Sequence, residues 1–259
     1  MRFRLGGCAV ALVLVLSACG ADGGSDGAAP GVDAMPAEVV ADLASARDTL
    51  PPAPHAATAL TVLLAHDGPA DDPGLDAAAG ALAQRPDIAV TVAVPGTGAG
   101  STTTMSGFPV VEVAATSTGF VADAVAATGI HPDLVVVGIA RATEVGGGEP
   151  LARSATAIGV PALVVGAGDG DQVDLAAAAM QLLEVLDLEL GALLDEPAGV
   201  SRLTVPSCGQ GSLRGRVGAR AAATATPLAP AQCTLASRSV PADEVDALAA
   251  GYAALVRLP

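Results

Sequence analysis

Four continuous apolar runs of strand length, separated or followed by stretches with helical spacing, constrain this chain more than any other feature. The runs are Ala59–His66, Ile88–Val94, Leu134–Ile139 and Pro161–Val165. A strand with one wet face alternates apolar and polar residues, whereas a strand buried on both faces is apolar throughout. Pro73–Gln84 places Leu75, Ala78, Ala79 and Leu82 on one side of a helix, and Gly119–Thr128, Leu151–Ile158 and Asp171 to about Leu194 also read as helices. The fold class expected is therefore α/β, a mostly parallel sheet covered by helices on both faces. Ligands of such sheets bind beyond the carboxyl ends of the strands. The loops after His66, Val94, Ile139 and Val165 are the places to look. The tail changes character. Val200–Val205 reads as a strand, Pro206–Pro241 as a hairpin or irregular excursion, Ala242–Ala250 as a helix and Gly251–Val256 as a closing strand.

The first residues carry an export signal. Arg2 and Arg4 precede the apolar run Cys8–Leu16, which is too short to span a bilayer as a stop-transfer helix. Leu16-Ser17-Ala18-Cys19 then places small residues before a cysteine, the pattern of a lipoprotein signal cut ahead of Cys19. Lipid on Cys19 would anchor the protein to the cell membrane on its extracytoplasmic face. An ordinary secretory peptide cut nearby, or an uncleaved anchor, is the alternative. Gly20–Gly31 has almost no apolar bulk and reads as a tether. Ala37–Leu50 reads as a short helix stopped by Pro51, Pro52 and Pro54. The expected organisation is thus a signal peptide over 1–18, a tether with a short helix over 19–58, a core over 59–199 and a C-terminal extension over 200–259. No other segment is long and apolar enough to cross a bilayer. Of the four cysteines, Cys208 and Cys233 remain after Cys8 is removed and Cys19 takes lipid. An oxidising compartment makes a disulfide between them the default, and a two-cysteine metal site lacks a histidine nearby in sequence. The formal net charge of −15 repels nucleic acid and anionic headgroups, so nucleic acid is excluded as a partner.

The loop after the first run reads His66-Asp67-Gly68-Pro69-Ala70-Asp71-Asp72. Hard cations want several oxygens, and Asp67, Asp71 and Asp72 offer them. The competing reading has Asp71 or Asp72 capping the next helix and Asp67 holding the turn. Pro95–Ser106 is rich in Gly, Ser and Thr, a composition that suits wrapping a phosphate with backbone N–H groups or simply a flexible loop. The chain has no lysine, so this is not a nucleotide P-loop. Gly166–Gly170 is a weak dinucleotide signal without its acidic partner. His55 and His131 read as structural, and no Gly-x-Ser-x-Gly elbow is present.

The series of pieces resembles the SurE family of survival-protein 5′-nucleotidases and phosphatases. Leu63–Gly68 is similar to the family's strand running into Asn-Asp-Asp-Gly, and Pro73-Gly74-Leu75 to its Pro-Gly-Leu at the same offset. Val90–Pro95 resembles its second strand ending in Ala-Pro, and Gly119–Val125 its Gly-Thr-Pro-Ala-Asp-Cys-Val. Pro132–Ile139 resembles Pro-Asp-Leu-Val-Val-Ser-Gly-Ile, Ile158–Ala162 resembles Leu-Gly-Ile-Pro-Ala, and Glu244–Tyr252 resembles Asp-Val-x-Ala-Leu-x-x-Gly-Tyr. The likeness covers about residues 59–259. It implies a Rossmann-like core, metal-dependent phosphomonoesterase chemistry with Mg²⁺ or Mn²⁺, a nucleotide or phosphomonoester ligand and a homo-oligomer built through the C-terminal extension.

The resemblance also assigns a metal site of two adjacent aspartates, a serine and an asparagine. Asp67 matches the first aspartate and becomes the candidate catalytic residue and metal ligand. The second falls on Gly68, and the preceding asparagine on His66. The serine falls on Gly100, with Ser101 one place away, and the later asparagine falls on Ala140. The Ser-Gly-Thr beside the substrate phosphate falls on Gly146-Gly147-Gly148. His66, Asp67 and Ser101, with Asp71 and Asp72 as replacements, are thus the candidate ligands of an altered site. The alternative is a catalytically silent domain that binds a ligand or a protein.

Overall fold

The computed structural model describes residues 59–96, 101–114, 119–144, 149–168, 173–196, 198–224, 226–228, 230–234 and 241–258. The expected signal peptide, Cys19, the expected tether and the expected Ala37–Leu50 helix lie outside these residues. The strands are β1 (Leu60–Ala65), β2 (Ile88–Pro95), β3 (Ser101–Thr103), β4 (Pro109–Val113), β5 (Leu134–Ala142), β6 (Ala162–Gly168), β7 (Val200–Val205), β8 (Arg216–Gly218) and β9 (Ala253–Leu258). The helices are α1 (Pro73–Ala83), α2 (Phe120–Thr128), α3 (Glu149–Thr156), α4 (Leu175–Leu188), α5 (Leu190–Leu194) and α6 (Glu244–Ala249).

One sheet takes all the strands in the order β3-β4-β2-β1-β5-β6-β7-β9-β8. From β4 to β7 every neighbouring pair is parallel. The four apolar runs are β1, β2, β5 and β6, adjacent at the centre. The chain winds outward from β1 through β2 to β4, then restarts on the other side of β1 with β5, β6 and β7. This reversal makes the crevice between β1 and β5 the topological switch point.

Side-chain alternation splits the core into two layers. Val62 and Leu64 pack with Leu75, Ala78 and Leu82 of α1 and with Leu182 and Leu186 of α4. Leu63 and Ala65 face the other way, against Phe120 and Ala124 of α2 and Leu151 and Ala155 of α3. Each buried leucine stabilises the fold by roughly 1.5–3 kcal/mol, which is why β1 carries no polar residue between Val62 and Ala65.

Four parts of the chain depart from expectation, the first being β4 itself, which was not among the expected strands. Pro95–Ser106, read as one loop, contains β3, which pairs antiparallel with β4 from Ser101↔Val111 to Thr103↔Pro109. The β-branched threonines suit a pleated edge, and the turn after them is pinned from outside by Asp76. The long helix after Asp171 breaks at Glu189, which ends α4 and starts α5. The excursion contributes β8, paired parallel with β9.

The excursion folds back on the carboxyl end of the sheet. Cys208 and Cys233 form a disulfide across 25 residues. The Leu228 N–H donates to Thr143 C=O (3.0 Å), just past β5, and Gln232 N–H donates to Ala249 C=O (2.9 Å). Gly251 holds φ +79°, and a Cβ there would stand 3.0 Å from Cys233 Sγ, so only glycine fits this turn under the disulfide. Below it, Arg202 of β7 grips Glu244 of α6 with both faces of its fork, Nε to Oε1 at 2.9 Å and NH2 to Oε2 at 2.6 Å. Thr204 Oγ1 adds a hydrogen bond to Oε1 (3.0 Å), and Glu149 at the start of α3 takes the remaining guanidinium nitrogen.

Candidate functional site

The loop 66–72 leaves the carboxyl end of β1 at the mouth of the switch point. His66 keeps one backbone bond to the sheet, its N–H donating to Ala93 C=O (3.2 Å). Its ring is buried, Nδ1 has no hydrogen-bond partner and Nε2 stands 3.5 Å from Asp72 Oδ1. Asp67 and Asp71 are exposed.

Asp72 is the N-cap of α1. Its Oδ1 accepts from Gly74 N–H (2.7 Å) and Leu75 N–H (3.2 Å), and Pro73 at the first helical position needs no partner. The capping role weighed for Asp72 is the one observed. Gly74 lets α1 start directly against the sheet: a Cβ there would lie 1.9 Å from Ile139 C=O, at the register shift between Gly138 and Ala140 of β5. The Pro-Gly-Leu signal therefore has a packing reason.

On its other side α1 anchors the β3–β4 turn. Asp76 accepts from Thr104 Oγ1 (2.6 Å), Ser106 N–H (2.8 Å) and Ser106 Oγ (2.7 Å). The Ser106 and Thr104 hydroxyls hold its carboxyl below the usual carboxylate range. Sequence reasoning did not single out Asp76. The only local signal was an acid in the first turn of a helix, and its partners lie 28 and 30 residues away.

Of the candidate ligands the structure brings together His66 and Asp72, at 3.5 Å, while Ser101 stands on the edge strand β3. Ser101, Val111, Ala93 and Ala65 form one row across β3, β4, β2 and β1. At about 4.8 Å per strand, the Ser101 backbone lies about 14 Å from the end of β1. Two side chains sharing an ion need their backbones within roughly 10 Å, given oxygen ligands at about 2–2.6 Å. Gly68 and Ala140 supply no donor, and Gly100 and Gly146–Gly148 lie outside the described residues. Among the described residues no three His, Cys, Asp or Glu side chains are grouped to hold a metal ion. Two exposed carboxylates (Asp67 and Asp71), one carboxylate spent on a helix cap and one buried imidazole are not grouped as a hard divalent cation requires.

The topology and the Gly74 contact prompt comparison with solved proteins. The crystal structure of the SurE protein from Aquifex aeolicus superposes with a TM-score of 0.53 and 18% identity, covering 76% of this chain and 92% of that one. The chain has a SurE-like fold. No family model matches it, and no curated protein matches it in sequence.

Proposed function

We propose that this chain is an extracytoplasmic lipoprotein whose SurE-like domain binds a small phosphomonoester-class ligand in the β1–β5 crevice without the metal-assisted hydrolysis of that family. The observation that carries this reading is the fate of the loop after β1. The fold keeps the crevice, Gly74 and the start of α1, while Asp72 is committed to the cap and Gly68 and Ala140 bring no donor. The anchor rests on the Leu16–Cys19 signal, and the Cys208–Cys233 bridge suits an oxidising compartment.

Two experiments test it. A nucleoside monophosphate titrated into the purified protein gives saturable heat that Ala140→Phe, which fills the crevice mouth, abolishes. Absence of heat with the wild type sinks the ligand reading. In a bacterial host, the wild type sediments with membranes and Cys19→Ser moves to the soluble fraction. Membrane retention of Cys19→Ser overturns the anchor. A second reading, a phosphomonoesterase acting through Asp67, is favoured by one observation: that carboxylate is exposed at the end of β1, where the reaction would take place.

A further inference from the structure

Two residues of the loop after β1 compete for one volume. A Cβ on Gly68 would stand 2.7 Å from His66 Nε2 and 3.0 Å from its Cδ2. The backbone does not require this glycine, since it is absent from the glycines with positive φ. An alanine at 68 would therefore meet only the imidazole. The ring is 3% exposed and cannot leave without emptying buried space. Its Nε2 faces Asp72 Oδ1, and that oxygen holds the first free N–H groups of α1.

We infer that His66 and Gly68 are a matched pair: the imidazole occupies the space a side chain on residue 68 needs, and closes the end of β1 against Asp72 and the α1 cap. An oxygen cradle built from residues 67 and 68 cannot form while the ring is there. Placing a carboxylate at position 68 alone does not open it; both positions must change together. This inference deepens the reading of a non-hydrolytic domain, and its first arm, thermal unfolding, needs no ligand, so the two can fail separately.

The experiment is a double-mutant cycle by thermal unfolding of the disulfide-intact protein. Gly68→Ala overpacks the site and lowers Tm by about 5 °C. In the His66→Ala background the same change moves Tm by less than about 1 °C, because the two residues are coupled. Equal shifts in the two backgrounds overturn the pairing. A second arm titrates Mn²⁺ alone. Gly68→Asp combined with His66→Ala binds Mn²⁺ at least about tenfold more tightly than Gly68→Asp by itself. Equal affinity in those two variants, or stoichiometric Mn²⁺ on the wild type, overturns it as well.

Discussion

Replacing Glu244 by alanine is the sharpest perturbation of the fold. Glu244 is fully buried and Arg202 is 4% exposed, so the pair is shielded from solvent on both sides. Removing the carboxylate takes away two charge-assisted hydrogen bonds and the acceptor of Thr204 Oγ1. An uncompensated buried charge costs about 3–5 kcal/mol. Glu149 remains on the guanidinium and offsets part of this, which places the expected loss near 3 kcal/mol. Its own side chain is 25% exposed, so Glu149→Ala should cost less than about 1 kcal/mol. Urea unfolding with the disulfide intact reads both directly. With a slope of roughly 2 kcal/mol per molar, Glu244→Ala lowers the midpoint by about 1.5 M, and Tm falls by about 6–12 °C. A loss below about 1 kcal/mol for Glu244→Ala, or an equal loss for Glu149→Ala, refutes the claim that this ion pair fastens α6 and the excursion to β7. Replacing both partners by apolar residues, Arg202→Met with Glu244→Leu, should recover most of the loss, because desolvation is then removed together with attraction.

Other consequences follow from the same geometry. Asp72→Ala strips the cap from α1 and costs about 1 kcal/mol, read as a shift in urea midpoint; no shift means the two N–H bonds are made equally well by water. Removing the bridge with Cys208→Ser and Cys233→Ser costs about 3 kcal/mol in the chain-entropy view of a 25-residue separation. Hydrogen exchange should show it first at the Leu228 amide, while β1 stays protected; unchanged Leu228 protection contradicts the clamp. The Asp76 carboxyl is held below its ordinary value in the folded state, so its contribution is present above an unfolded value near 3.9 and is lost as pH falls through the folded one. Asp76→Asn should therefore flatten the acid limb of a stability profile below about pH 4, and an unchanged limb counts against the Ser106–Thr104 contacts.

What the sequence made legible and what it hid differ in physical kind. Strands buried on both faces write themselves as apolar runs, so β1, β2, β5 and β6 could be read within one to three residues of their ends. Helix α1 announced itself through Asp72, Pro73 and the spacing of Leu75, Ala78 and Leu82. Strands β3 and β4 stayed hidden because their stability comes from pairing at an edge and from Asp76, a contact between residues far apart in the chain. The break at Glu189 has no proline, and the glycine beside it, Gly191, falls inside the next helix and so does not mark the end of the first. Around the loop after β1, His66, Asp67 and Asp72 stood out in the sequence, but the space shared by His66 and Gly68 did not. A missing side chain does not show what fills its place.

On the reading proposed above, this SurE-like domain has the crevice of its fold without the metal-assisted reaction. Phosphate release tests it most directly. The purified protein is incubated with nucleoside monophosphates and Mg²⁺ or Mn²⁺, beside Asp67→Ala. The expected result is no release above that variant with either metal. Metal-dependent turnover that disappears in Asp67→Ala would contradict it.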